Sequence, residues 1–147
     1  MVGTLGSERA VTSEQALRLI LRLLGSSSLL ALIFVIAPYA WMASIHSALG
    51  MGQLPDDPVV GYLARSTSAF YAALGGLLWV VSFDLGRHLQ VLIYLGATIS
   101  LMGIVLLVVD WSEGMPALWK IWEGPFVTTF GLAILFLSRG VRPRNGT

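Results

Sequence analysis

Arg65, Asp110 and Glu123 stand inside or at the edges of long apolar stretches, where an ionisable side chain is costly and marks a functional candidate. A guanidinium presents five donors in a planar fork, so Arg65 can receive an anionic group. A carboxylate at membrane depth can carry a proton, a task open to Asp110 or Glu123. His46, Tyr62 and Trp122 recur near the same level of the chain, and Trp122 can contact the apolar part of an amphiphile. The six define an outer polar cluster with two readings. It binds a lipid or small amphiphile, or it is a structural clamp in which a buried arginine and its carboxylates fix helix register.

Spacing supports an Arg65–Asp110 pair. Arg65, Ser68, Ala72, Gly75 or Gly76, and Trp79 share one helical face, while Leu63, Phe70, Leu74, Leu77 and Val81 share the opposite, lipid-suited one. Gly96, Ser100, Gly103, Leu107 and Asp110 fall on another small, polar face, the kind along which membrane helices approach closely. Arg65 lies 21 residues before Gly86 and Asp110 lies 24 after it, a difference in height of about 5 Å across a hairpin. Glu123 offers a second carboxylate, although Val127, Phe130 and Ile134 make its helical face less telling.

Sharper chemistry finds little support. His46 and His88 fall on opposite sides of the membrane, so they do not form a haem pair. No His/Glu spacing suggests zinc or a carboxylate-bridged di-iron centre, so no metal, cofactor or catalytic residue is expected. Ser68 and Ser100 lack a histidine at their depth and read as small packing residues, as does Gly75-Gly76. Asp84, Arg87 and His88 read as hairpin capping, with Gly86 as the helix C-cap. Glu113 and Lys120 read as solvated loop charges.

The elements that hold these residues follow from composition. Of 147 residues, 56% are apolar and 12% charged, and mean hydropathy is +0.79. A soluble domain carries about 25% charged residues, so this chain reads as an integral membrane protein. The absence of cysteine excludes disulfide relays and iron–sulfur clusters, and a net charge of +1 gives no reason to expect nucleic acid. The expected fold is all-α, a four-transmembrane-helix antiparallel bundle in one domain, with spans at about 26–49, 59–83, 89–109 and 117–138. Pro38 should kink the first span.

Ahead of that span, residues 1–12 are unpatterned. Thr12 or Ser13 can cap a short basic amphipathic helix over 13–24, lying on the headgroups or extending span one. No small-x-small cleavage site follows the first apolar run, so a signal peptide is not favoured. Arg9, Arg18, Arg22, Arg87, Arg139, Arg142 and Arg144 fall on one side and only Arg65 and Lys120 on the other. That asymmetry places both termini in the cytoplasm.

Tyr62, Arg65-Ser66, Ser68, Tyr71, Gly75, Asp84, Arg87, Asp110, Trp119 and Glu123-Gly124-Pro125 together resemble small four-helix bacterial membrane proteins similar in topology to the DoxX-like group. The resemblance covers about residues 60–138. It implies a four-helix bundle in a bacterial plasma membrane and carries over no activity or substrate. The leading functional expectation is a non-enzymatic accessory or scaffold subunit, with membrane lipids, other subunits or a second copy as partners. The rivals are a protein or enzyme that handles a lipid or small amphiphile and a small proton-coupled transporter.

Overall fold

The computed structural model describes the backbone of residues 2–144 and the side chains of 12–144. Those residues form six helices and no strand: α1 (Val2–Leu29), α2 (Leu32–Ile36), α3 (Tyr39–Ala48), α4 (Pro58–Phe83), α5 (Leu89–Ser112) and α6 (Ala117–Ser138). Within this all-α chain, Thr12–Ile36, Pro58–Phe83, Leu89–Ser112 and Ala117–Ser138 are long and apolar enough to cross a membrane. At about 1.5 Å per residue, the shortest, of 22 residues, spans a hydrocarbon core about 30 Å thick. Large apolar side chains such as Ile36 (83% exposed) and Phe70 (74%) stand away from the protein. Water would oppose so much apolar surface, whereas lipid accepts it.

The first span departs from the sequence expectation. Of the two arrangements expected for the basic segment 13–24 it takes the second, extending span one: it and the apolar residues that follow are one helix, running unbroken through Gly25 and the serines after it. No cap forms at Thr12 or Ser13, because α1 begins upstream at Val2; the side chains before Thr12, that of Arg9 included, lie outside the described residues. The first span candidate therefore ends at Ile36, not near residue 49. Pro38 breaks the chain rather than kinking it. Both Ala37 (φ −59°, ψ 143°) and Pro38 (φ −57°, ψ 143°) are extended. Proline lacks an N–H and its ring crowds the Cβ of the preceding residue. Pro125 sits inside α6 without ending it. The residue before it is Gly124, which has no Cβ to crowd.

The chain divides into two compact units, Met1–Leu23 with Trp79–Thr147, and Leu24–Leu78. In the first, α5 and α6 pack through a glycine-based seam. A Cβ at Gly103 would come 2.6 Å from the Gly124 carbonyl oxygen, and one at Gly124 would come 2.7 Å from that of Gly103. At the other end, a Cβ on Gly131 would lie 2.8 Å from the Gly96 carbonyl oxygen. Thr128 bridges the middle, its hydroxyl donating to the Gly124 carbonyl at 2.9 Å and more distantly to that of Ser100 at 3.5 Å. Contacts this close need small residues, and dispersion between the backbones is the gain. Leu17, Leu21, Val81, Leu92 and Ile134 complete the buried core of this unit.

The α4–α5 link is capped by Asp84. Its Oδ1 accepts the Arg87 N–H at 3.1 Å, and its carbonyl pairs with His88 Nδ1 at 2.8 Å. Gly86 is not a left-handed cap: among the described residues only Gly50, Gly52 and Gly114 have positive φ.

In the second unit, Gly75 brings α4 against α1. A Cβ there would meet the Gly25 carbonyl oxygen at 2.6 Å, whereas one at Gly76 would meet nothing within 4 Å. Two α3 side chains hold the following loop. The Tyr39 hydroxyl donates to the Pro55 carbonyl, and His46 Nδ1 lies 3.1 Å from the Gly52 carbonyl oxygen. Asp57 Oδ1 then accepts the Val59 N–H at 2.8 Å and starts α4.

Candidate functional site

Arg65 is explained by the break at Pro38. A helix end leaves carbonyls without intrahelical donors, and Ala37, only 3% exposed, is shielded from water that could replace them. Had the helix continued, the Val35 carbonyl would have accepted from Tyr39 and the Ala37 carbonyl from Trp41. Instead Trp41 donates to the Pro38 carbonyl. Arg65, from the second turn of α4, supplies the missing donors: Nη1 donates to the Val35 carbonyl and Nη2 to the Ala37 carbonyl at 2.9 Å. Its cation also sits where the end of α2 gathers partial negative charge. Arg65's partners are thus main-chain oxygens of its own unit, whereas the Asp110 carboxylate that spacing predicts for it belongs to the other unit.

Asp110 presents the opposite condition. It lies in the last turn of α5, only 4% exposed, and its Oδ2 has no hydrogen-bond partner. A buried carboxylate without a partner is costly, and the negative end of its own helix raises that cost. Glu123 is half-buried on α6, within electrostatic reach of Asp110. The indole Nε1 of Trp119, one turn before Glu123, is also buried and unpartnered. This end of the α5–α6 hairpin therefore holds an unmet acceptor on one helix and an unmet donor on the other.

Comparison with family models, curated proteins and solved structures gave no match.

The remaining expected residues fall into place one by one. His46 is occupied by the loop carbonyl of Gly52, and beside it a small cavity of about 190 Å³ is walled by Phe34, Met42, Ile45 and Leu54. Tyr62 and Trp122 are exposed, at 68% and 62%, as interfacial aromatics are. Lys120 lies over the Trp111 ring at 5.3 Å, rather than being a free loop charge. Among the described residues the one ion pair is Arg144–Asp84, and no group of three metal-ligating side chains occurs.

Two features escaped the sequence reading. Gly124, Thr128 and Gly131 repeat the four-then-three spacing of Gly96, Ser100 and Gly103 in antiparallel register. That shared spacing was the available signal. Arg22 lies over Trp79 at 5.3 Å and Phe83 at 5.8 Å, with Nε donating to Ser82 Oγ at 3.4 Å. Nothing in their spacing links residues 60 positions apart.

Proposed function

We propose that this multi-pass membrane protein is a non-enzymatic accessory or scaffold subunit of a membrane complex in a bacterial plasma membrane. The observation that carries this reading is the bonding of Arg65. The Arg65 cation, which stands inside a span candidate, is occupied in closing a broken helix, which is a structural task. The glycine seam between α5 and α6 is of the same kind. Both termini lie in the cytoplasm on this reading, supported by the excess of arginine in the N-terminal segment, the α4–α5 link and the segment after α6. Purification from native membranes in mild detergent tests it: partner chains at fixed stoichiometry are the expected result, and a lone monomer counts against it.

A second reading rests on Asp110. Its unpartnered oxygen favours binding of a lipid or small amphiphile whose cationic or donor headgroup would meet that carboxylate, with Glu123 within electrostatic reach. Retention of an amine-headed lipid that is lost in Asp110→Asn would establish this role, and equal retention by both proteins would remove it.

A further inference from the structure

We infer that the cavity bounded by α1, the α4–α5 link and the segment after α6 is a binding site for a phosphate group of net negative charge, carried by an anionic lipid headgroup or free in solution. The cavity has a volume of about 400 Å³, lies within the first unit, and is lined from three directions. Glu14 and Arg18 come from α1, Asp84 and Gly86 from the link, and Arg142 and Arg144 from the segment after α6.

Close backbone contacts build the walls. The Arg144 N–H donates to the Gly86 carbonyl at 3.2 Å. A Cβ at Gly86 would lie 2.7 Å from the Arg142 carbonyl oxygen, so glycine is what allows the segment to lie on the link. Four residues before Arg144, Gly140 rests on Ser13 of α1, where a Cβ would stand 3.0 Å from the serine Cβ. The last arginines are therefore held over the cavity.

The charge is suited to an anion. Three guanidinium groups face two carboxylates. Asp84 is engaged by Arg144 at 3.7 Å in a long, solvated pair, a weak interaction that a phosphate can replace. Arg18 and Arg142 have no ion-pair partner among the described residues. Guanidinium forks match phosphate oxygens in pairs, which makes arginine the natural residue for this group. Phe83, 63% exposed and at the end of a span candidate, lines the cavity's apolar side with Leu85 and Pro143. A phosphate seated among the arginines can thus leave its glycerol and acyl chains along an apolar side. Basic pockets between spanning helices hold anionic headgroups in this manner.

The test uses the full chain in detergent, with phosphatidylglycerol, phosphatidylcholine of the same acyl composition, and inorganic phosphate as probes. Native mass spectrometry reads retention and thermal unfolding reads protection. Phosphatidylglycerol should bind about tenfold more tightly than phosphatidylcholine, and Arg18→Gln with Arg142→Gln should abolish that difference. Arg18→Lys, which keeps the charge, should retain part of it, separating a lost site from a lost fold. Arg139→Gln, outside the cavity, should leave it unchanged. Protection by inorganic phosphate without lipid discrimination, abolished by the same double variant, supports the site with free phosphate as its source. Equal retention of the two lipids without phosphate protection, or an equal loss in Arg139→Gln, overturns the proposal.

Discussion

Arg65 Nη2 donates to the Ala37 carbonyl oxygen at 2.9 Å, across 28 residues, and the cause is the proline that follows Ala37. Proline removed the ladder that would have served these carbonyls, and the arginine replaced it. The two positions should therefore be energetically coupled. Arg65→Met leaves part-buried carbonyls without donors and should cost about 2 kcal/mol in detergent unfolding. Pro38→Ala restores a helix-compatible backbone and gives Val35 and Ala37 main-chain donors. In that background Arg65→Met should cost much less. A double-mutant cycle measures the difference, and simple additivity would contradict the clamp.

The seam between α5 and α6 makes a contrasting pair of glycine predictions. Gly103→Ala places a Cβ against Thr128 and the Gly124 carbonyl, whereas Gly76→Ala meets open space. The first should lower the unfolding midpoint clearly, by about 1–3 kcal/mol of overpacking, and the second should be neutral or slightly stabilising. Comparable effects at both positions would show that the approach at Gly103 is not what holds the hairpin.

Asp110 should behave unlike a structural carboxylate. Because its buried Oδ2 lacks a partner, Asp110→Asn removes an uncompensated charge and should raise the thermal midpoint of the ligand-free protein. A fall of about 3 kcal/mol would be the signature of a broken buried ion pair. The sign of the change separates these cases.

Much of the fold was legible because membrane helices announce themselves by length and apolarity. The closely packed faces were also legible: Ala72 and Gly75 on α4 and Gly96, Ser100 and Gly103 on α5 are buried as their spacing predicts. Val81, assigned by spacing to the lipid face, is instead buried at 1% exposure, because α4 ends there against the first unit's own core. Arg65 was legible as an inward-facing charge but not by its partners. Spacing along a sequence compares side chains, and its partners are main-chain carbonyls exposed by a break whose sharpness depends on the Cβ of Ala37. The same limit hid the cavity beside Gly86, where the walls are backbone and the relevant fact is what a glycine lacks.

Tyr39 supplies a prediction in pH. Its phenol is held above its ordinary value of about 10, first by partial burial and then by the nearby carboxylates of Asp56 and Asp57. Its hydroxyl also donates to the Pro55 carbonyl, a bond that only the protonated form can make. The folded state thus holds this proton more tightly than the unfolded chain does. The resulting stability is complete below about pH 10 and is lost as pH rises from there through the folded-state value. Ultraviolet titration should find one phenol ionising late, and Tyr39→Phe should abolish that late phase. Hydrogen exchange in residues 50–57 should rise above pH 10 relative to its intrinsic pH dependence, and the Tyr39→Phe protein should show that excess already at neutral pH. A loop equally protected in both proteins would mean that Asp57 and His46 hold it without the tyrosine.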